Sequence, residues 1–464
     1  MMGSASGREP SISTPQQPTD ELEEFTRLIS QEQMFGDPPR RAVDPVVRRR
    51  RRRIGLLVTA IVLVVLLGVP GGYVWWALTA PLSAPVVETH EPPVTVPAAA
   101  AVALPSSGAA AIAVAGADEY LGAGASGIWA TSGTSEPQSI ASITKVITAL
   151  VILDRHPLAD AADPGPTITF SKADHDLYDQ YYVRGATIAA MPTGSSLSLH
   201  DAIATMLIPS ASNYAEAVST WAFGSQGAFR GAAQRWLAAN GLTGTTIVEP
   251  TGLDPRNTST PADLIALGKI AAAHPAIASI SATSSLTLPG PGRIVNTNDL
   301  LGSNGITGLK TGNLGEGTYN LLFTASVPVG TAQPLAVTGV LLGGMTRANV
   351  NHNVMALIDS IRAGFREVPV AERDQKVGTI TTPWGSSAEV VVSDYVTIFT
   401  WSDTPISVEM TTTTPKTYTD GEVVGSITWT AGPNTVTVPI EIEGAIVPPT
   451  DEWRLTHPGE LGGQ

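Results

Sequence analysis

The stretch Pro137-Gln138-Ser139-Ile140-Ala141-Ser142-Ile143-Thr144-Lys145 continues into an apolar run that ends at Asp154. If the stretch is helical, Ser142 and Lys145 share one face, with their Cβ atoms roughly 5–6 Å apart. On a strand the two side chains would point to opposite faces. The β-branched residues of the run would also suit a strand, but its length and its charged end favour a buried helix. A hydroxyl beside an amine is a nucleophile next to its possible base, and we expect the chain to build a site around this pair.

The spacing of Ser142 and Lys145 could arise by chance, but two further motifs support the interpretation as a site. Pro209-Ser210-Ala211-Ser212-Asn213 lies between two predicted helices, where a turn can present a hydroxyl group. Lys310-Thr311-Gly312 lies on a predicted strand, and its glycine lets a ligand backbone approach closely. The chain has only six lysines, so it is notable that Lys145 and Lys310 occupy two of the three motifs.

Composition excludes several classes of function. The chain of 464 residues has a formal net charge of −14, and residues 54–464 hold thirty-three acidic residues against seventeen Lys and Arg. This acidic balance argues against a nucleic-acid surface. There is no cysteine, which excludes disulfides, thiolate metal sites and a thiol nucleophile. The seven histidines show no ligand spacing, so we expect neither a metal nor a cofactor.

The N-terminal part predicts a membrane anchor. Residues 54–78 are uncharged and, as a helix, about 37 Å long, which is enough to cross a ~30 Å hydrocarbon core. The arginines of residues 48–53 lie on one flank and Tyr73, Trp75 and Trp76 near the other, a positive-inside pattern with an aromatic belt. We expect a single-pass anchor in the cell membrane with the N-terminus in the cytoplasm.

A cleaved signal peptide is the alternative for this segment. The candidate cut after Ala80 has Leu78 at the −3 position and Pro81 following it, which is a poor cleavage site. Before the anchor, residues 1–53 predict a disordered cytoplasmic tail. After it, residues 79–107 are rich in Pro, Ala and Val and predict a stiff linker.

Two folded domains are expected beyond the linker. Residues 108–366 show strand patterns at both ends and mainly helical patterns between them, which predicts an α/β domain, an antiparallel sheet flanked by helices with a helical insert. Residues 367–464 predict a separate β-rich domain. The apolar residues Val436, Val438, Ile440 and Ile442 alternate there with Thr435, Thr437, Pro439 and Glu441, which is typical of a half-buried strand.

In this order, the three motifs resemble the signature of penicillin-binding proteins and serine β-lactamases. The flanking sequences narrow the resemblance to D-alanyl-D-alanine carboxypeptidases, the low-molecular-mass penicillin-binding proteins. The flanking sequences that carry this narrower resemblance are residues 140–149, 206–210, 252–260, 296–298 and 308–312. The resemblance covers about residues 108–366, and the C-terminal β-domain resembles the family only in its position.

The resemblance implies a role for each matching residue. Ser142 would be the acylated nucleophile, Lys145 its base when neutral, and Ser210 the proton relay to the leaving group. Lys310 and Thr311 would hold the terminal carboxylate of the substrate beside Gly312. The oxyanion would lie between the backbone N–H groups of Ser142 and Asn313.

One position departs from the family pattern. The family turn reads Ser, any residue, then Asn, whereas this chain has Ser210-Ala211-Ser212 with Asn213 one place later. Either the Ser212 hydroxyl fills the asparagine position, or the turn is re-registered so that Asn213 reaches the substrate. Glu249 lacks the spacing of the deacylating glutamate of class A β-lactamases and is interpreted as a loop residue.

The resemblance implies an anchored serine carboxypeptidase that trims D-alanine from peptidoglycan stem peptides during cell-wall synthesis and shaping. β-Lactam antibiotics would then be covalent inhibitors. A serine β-lactamase and a non-catalytic protein of this fold that binds cell-wall peptide are the alternatives.

Overall fold

The computed structural model describes residues 45–462, so the predicted tail lies outside it up to residue 44. The chain divides into two compact units. Of the described residues, 45–83 and 450–462 form one unit, and the other is Ala84–Pro449.

The first unit is built on helix α1 (Pro45–Thr79), which begins nine residues before the predicted anchor and includes the arginine cluster. It runs on through Pro70, and Ala77 is its one buried residue. A short helix, Asp451–Thr456, packs on its C-terminal end. There the Tyr73 hydroxyl donates to the Leu455 carbonyl at 2.6 Å, and Arg454 donates to the carbonyl of Ala80 at 3.0 Å.

The second unit contains nineteen strands among the described residues. In chain order these are β1 (Val86–Thr89), β2 (Ala109–Ala115), β3 (Ala130–Ser132), β4 (Gln138–Ser139), β5 (Thr167–Thr169), β6 (Ser196–Ser198), β7 (Thr258–Ser259), β8 (Ser285–Leu288), β9 (Gly292–Val295), β10 (Ile306–Gly312), β11 (Tyr319–Val327), β12 (Leu335–Gly344), β13 (Phe365–Ala371), β14 (Lys376–Thr381), β15 (Ser387–Val392), β16 (Val396–Trp401), β17 (Ile406–Thr412), β18 (Val423–Ala431) and β19 (Asn434–Glu443).

The helices of this unit lie mostly between β3 and β10. They are α2 (Asp118–Leu121), α3 (Thr144–Arg155), α4 (Lys172–Tyr182), α5 (Leu199–Leu207), α6 (Ser212–Phe223), α7 (Gln226–Ala239), α8 (Pro261–Ala273), α9 (Pro275–Ser281) and α10 (Arg347–Gly364). A 3₁₀ turn, Ala141–Ile143, leads directly into α3.

The central sheet has five antiparallel strands in the order β10-β11-β12-β2-β3. Strands β2 and β3 pair at one edge of this sheet, although α2 lies between them along the chain and β3 begins only at Ala130. Helix α8 packs on one face of the sheet and α10 on the other. The predicted sheet with a helical insert is therefore the architecture observed, because strands far apart in the chain pair across the helices between them.

Several helix ends follow from local capping. Thr260 caps α8 by accepting from the backbone N–H of Asp263, and Pro261 occupies the first turn, where no N–H is needed. Gly241, with φ +71°, follows α7 and takes the left-handed conformation typical of a helix end.

The C-terminal part of the unit is a second sheet in the order β1-β14-β15-β19-β18-β17, with β13 and β16 paired beside it. Its core includes the fully buried Trp429 together with Val390, Ile427 and Ile440. This is the predicted β-rich domain, and its strands reach slightly further than the predicted segments.

The structure differs from the predicted stiff linker over residues 84–107. Val86–Thr89 pairs antiparallel with β14 as the edge strand of the C-terminal sheet. Further along, Ala100, Val102 and Leu104 pack against the core beneath α10. The proline-rich composition suits this extended path, since a strand at a sheet edge needs few backbone donors.

Candidate active site

Ser142 and Lys145 lie together at the start of α3. Lys145 Nζ is 3.0 Å from Ser142 Oγ, and the lysine side chain is completely buried. The first turn is a 3₁₀ helix rather than the expected α-helix. The pair still meets because residues three apart eclipse one another in a 3₁₀ turn.

Two glycines lie directly against the backbone of this turn. A Cβ atom on Gly252 would lie 1.9 Å from the Ala141 carbonyl oxygen, and one on Gly312 would lie 3.0 Å from Ser142 N. Ala141 itself has φ +48°, a left-handed conformation that costs free energy for any residue with a side chain. The surrounding packing therefore fixes the direction in which Ser142 is presented.

The amine of Lys145 is an unusual buried group. Burial lowers the pKa of Lys145 to about 7, and the negative charge of Glu249 opposes this shift. Nζ also donates to the Thr251 carbonyl at 2.7 Å. This hydrogen bond orients the amine without supplying a counter-charge, so the amine is partly neutral near neutral pH.

Ser210 lies in the turn between α5 and α6, both of which pack against α3. Its side chain is nearly buried at 6% exposure, and its φ of +68° is rare for a residue other than glycine. The turn is linked to strand β10 through Thr297, whose backbone N–H donates to the Ile208 carbonyl at 3.1 Å. The Thr297 hydroxyl is 2.7 Å from the hydroxyl of Thr311. The second and third motifs are thus joined by one threonine.

Ser212 and Asn213 begin α6 and are both buried. The Asn213 side-chain amide is engaged at both ends by one residue of the α4–α5 connection. It donates to the Ala189 carbonyl at 2.8 Å and accepts from the Ala189 N–H at 3.1 Å. The structure thus ties the Asn213 amide into the fold.

Lys310 points into a strongly positive environment. Burial and the positive charges of Lys145 and Arg347 lower the pKa of Lys310 well below its usual range. Arg347 begins α10 and donates to the Thr297 carbonyl at 3.2 Å. A substrate carboxylate is the kind of ligand that these converging cations attract.

Arg347 belongs to this group although the sequence does not predict it. Nothing in its local sequence marks it, since it simply begins a helix that follows β12. Its position beside Lys310 arises because α10 packs across the sheet that contains β10.

Glu249 is the second residue whose importance was missed. Its carboxylate accepts hydrogen bonds from five groups of its own loop: the N–H and hydroxyl of Thr251 at 2.7 and 2.6 Å, Gly252 N at 2.6 Å, Asp254 N at 3.3 Å, and the Asn257 amide at 2.8 Å. The Asn257 amide reaches on to the Thr144 hydroxyl at 3.2 Å. The loop that supplies the Thr251 carbonyl to Lys145 is therefore shaped by this one carboxylate.

A cleft of about 620 Å³ adjoins the motifs. Its lining residues are Ser139, Arg184, Gly185, Leu253, Pro255, Asn313, Leu314, Gly315 and Thr318. Ser139 lies two residues before the start of the 3₁₀ turn that contains Ser142, and Asn313 follows Gly312. The cleft therefore continues from the end of strand β10. Within residues 45–462 no group of three His, Asp or Glu side chains is placed to hold a metal ion.

Comparisons with known proteins show what this chain is similar to. A family model described as D-alanyl-D-alanine carboxypeptidase, peptidase S11, matches residues 123–337. A D-alanyl-D-alanine endopeptidase of Pseudomonas aeruginosa is 32% identical over 149 residues, which are 32% of this chain. The match spans 44% of that relative's length.

Solved structures share the fold at low identity. Penicillin binding protein 6B from Escherichia coli aligns with a TM-score of 0.51 and 18% identity, covering 75% of this chain and 99% of that one. Penicillin binding protein 5 from Haemophilus influenzae has a TM-score of 0.48 and 16% identity, covering 78% of this chain and 100% of that one. The alignment with penicillin binding protein 6B confirms the penicillin-binding-protein fold with a C-terminal β-sheet domain. The segment of residues 123–337, which contains all three motifs, matches the D-alanyl-D-alanine carboxypeptidase family, peptidase S11.

Proposed function

We propose that the chain is a membrane-anchored serine carboxypeptidase that removes the terminal D-alanine from peptidoglycan stem peptides. The observation that carries the proposal is the 3.0 Å distance between Ser142 Oγ and the buried Lys145 Nζ, whose pKa is lowered to about 7. An amine with this pKa is about half neutral near pH 7. A neutral amine can accept the hydroxyl proton, which is what activates a serine nucleophile.

Acylation begins with transfer of the Ser142 hydroxyl proton to the Lys145 amine. At the same time Oγ bonds to the carbonyl carbon of the penultimate D-alanine, and the carbonyl electron pair moves onto its oxygen. We assign the oxyanion to the backbone N–H groups of Ser142 and Asn313. The close approach of Gly312 to Ser142 N supports this assignment, because it brings the end of β10 against the serine turn.

The intermediate then collapses by breaking the bond between the carbonyl carbon and the nitrogen of the terminal D-alanine. That nitrogen takes a proton relayed from Lys145 through the Ser210 hydroxyl, and D-alanine leaves. In the second half of the cycle, water attacks the ester carbonyl and gives a proton to Lys145. The Ser142 oxygen leaves the carbonyl carbon and recovers its proton from the lysine.

Substrate binding is assigned to the cationic side of the site. Lys310 and Thr311 hold the terminal carboxylate, and Arg347 adds positive charge behind them. We assign Ser212 to the asparagine position of the second motif. The two hydrogen bonds between Asn213 and Ala189 support this choice, because using Asn213 would require both to break.

For location, we propose that α1 is a retained transmembrane anchor and that residues from about 80 onward lie outside the cell membrane. Its length of 35 residues, its exposed apolar surface and the arginines at its N-terminal end support a span. Intact-mass analysis of protein from washed membranes tests this. A mature chain that lacks the residues before Pro81 would identify a signal peptide instead.

An endopeptidase is the second candidate, because the Pseudomonas relative carries that name. It would form the same acyl-enzyme but release a second peptide in place of D-alanine. Incubation with a cross-linked peptide dimer and with a free pentapeptide, followed by mass spectrometry, separates the two reactions. We expect loss of one alanine from the pentapeptide to be the faster reaction.

Labelling with a fluorescent penicillin tests the acyl-enzyme itself. Wild type should carry a long-lived label, and Ser142→Ala should carry none. Rapid turnover of a chromogenic cephalosporin without stable labelling would favour the β-lactamase alternative. A wild type that neither labels nor releases alanine would favour a non-catalytic cell-wall-binding protein.

A further inference from the structure

The cleft beside the three motifs carries one charged side chain, Arg184, among its lining residues. Arg184 follows α4 in the connection toward α5, and its guanidinium lies over the ring of Tyr181 at 5.2 Å from the centroid. Tyr181 is in turn hydrogen-bonded to Glu216 of α6. The guanidinium is therefore positioned by a cation–π contact on a buried tyrosine.

Asp254 lies close enough for its charge to interact with Arg184, but its carboxylate is paired with another arginine. Asp254 makes a two-pronged pair with Arg256, at 3.0 and 2.5 Å from Nε and Nη2. Glu216 is occupied by the Tyr181 hydroxyl, and Glu316 follows Gly315 without lining the cleft. In the described chain, no ion pair within 4 Å involves Arg184, so its planar donors are available to a ligand.

The position of the cleft identifies which part of a substrate it receives. In the proposed reaction the leaving D-alanine carboxylate is held at Lys310 and Thr311. Beyond Gly312 the chain continues through Asn313, Leu314 and Gly315 along the cleft. The acyl half of the stem peptide, which lies on the other side of the scissile bond, would then run past Asn313 into the cleft that Arg184 also lines.

We propose that Arg184 is a specificity-determining residue that binds a free carboxylate on the acyl half of the stem peptide. This proposal rests on the proposed function and adds the substrate class. The site favours stem peptides that keep an ionised carboxylate at the second or third residue over those in which that group is amidated. An arginine fork matches a carboxylate with two parallel hydrogen bonds, whereas an amide presents one acceptor and a competing donor.

The test uses the full-length chain in detergent and two pairs of synthetic pentapeptides ending in D-Ala-D-Ala. One pair differs by carboxylate or amide on the γ-linked D-glutamate at the second residue. The other differs by carboxylate or amide on a diamino acid at the third residue. For one pair we expect wild type to have a kcat/KM about three to five times higher for the free acid than for the amide. This ratio corresponds to the free energy that one exposed ion pair contributes.

Three variants complete the design. Arg184→Gln should abolish the preference in that pair by lowering kcat/KM for the free acid more than for the amidated peptide, and Arg184→Lys should keep part of the preference. Arg230→Gln, a change of the same kind at an exposed residue of α7, should keep the wild-type preference. The pair that responds identifies which carboxylate is bound.

Two results would overturn the assignment: equal kcat/KM for acid and amide in both pairs with wild type, or an equal loss on both peptides in Arg184→Gln. Stable penicillin labelling of wild type separates these results from failure of the proposed function. If wild type neither labels nor releases alanine from any peptide, the proposed function and this inference both fail.

Discussion

At the scale of single residues, the site concentrates features that a stable fold otherwise avoids. Lys145 and Lys310 are buried amines, and Ala141 and Ser210 have positive φ values without being glycine. Each costs folding free energy, on the order of 1–3 kcal/mol for a strained backbone. Packing around the site must offset these costs, which is why their clustering at one place indicates a functional role.

The pKa of Lys145 predicts a specific pH dependence. In the proposed mechanism the neutral amine is the active form, so the rate of acylation by a penicillin should rise about tenfold per pH unit on the acid side and level off above pH 7. Stopped-flow or gel-based labelling of the full chain between pH 5 and 9 measures it. A rate that does not change between pH 5 and 8 would show that Lys145 is not the base.

Gly312→Ala should impair acylation even though it alters no chemical group. The added methyl would lie 2.9 Å from the Ile140 carbonyl oxygen and 3.0 Å from Ser142 N, so the serine turn must shift. A displacement of about 1 Å at reacting atoms can reduce a rate about 10²-fold. We expect the labelling rate to fall at least tenfold, while the melting temperature stays close to that of wild type.

Gly315→Ala serves as the comparison for that variant. Gly315 lies on the same connection with no atom within 4 Å of its missing Cβ, although its φ of +119° carries its own strain. If Gly315→Ala slowed labelling as much as Gly312→Ala, local strain rather than contact with the serine turn would explain the effect.

At the scale of elements, the loop of residues 249–257 acts as a clamp on α3. Glu249 and Asn257 fold the loop onto itself, and its Thr251 carbonyl then meets the Lys145 amine. A second contact joins the Pro250 carbonyl to the Thr148 hydroxyl at 2.8 Å. Backbone groups thus orient the amine, so no acidic side chain has to pair directly with it.

Glu249→Gln should change both stability and the pH profile. A glutamine amide replaces one acceptor oxygen with a donor that faces backbone N–H groups, so we expect a loss of about 1–3 kcal/mol in the free energy of unfolding. The Glu249 charge raises the pKa of Lys145, so removing it should lower that pKa. The rise in acylation rate should therefore move to lower pH.

Denaturant unfolding and pH-dependent labelling measure these two effects separately. Glu367→Gln, at an exposed residue of β13, is the matched control and should change neither. If the Glu249→Gln protein is less stable but its labelling rate has the same pH dependence as wild type, the role of Glu249 is purely structural.

At the scale of the whole second unit, the segment before the sheet ties the two β-structures together. Residues 86–89 extend the C-terminal sheet, and Ala100 N donates to the Ser402 hydroxyl at 2.6 Å. Ala103 N donates to the hydroxyl of Ser360 on α10 at 3.0 Å. The segment therefore spans the C-terminal domain and the sheet domain along one side.

A chain that starts at Gly108 should be less stable than one that starts at Ala84. Removing residues 84–107 exposes the edge of β14 and uncovers apolar side chains beneath α10. We expect a melting temperature lower by several degrees, since about 1 kcal/mol shifts it by roughly 2–4 °C in a domain of this size. Differential scanning calorimetry of the two chains measures it, and equal melting temperatures would show that the segment is only a spacer.

The sequence by itself determined the three motifs, the helix that pairs Ser142 with Lys145, the sheet interrupted by helices, and the existence of a C-terminal β-domain. These features depend on short-range spacing and on periodicity, both of which are encoded locally. The order of the motifs was enough to indicate the family, which the comparison with known proteins confirmed.

The tertiary structure alone decided which distant groups meet. Arg347 reaches Lys310 only because α10 crosses the sheet, and Glu249 acts on Lys145 only because its loop folds back onto α3. The engagement of Asn213 by Ala189, and the strand formed by residues 86–89, likewise join segments far apart in the chain. Burial and through-space charge arise from packing between such segments, so the spacing of residues along one segment does not contain them.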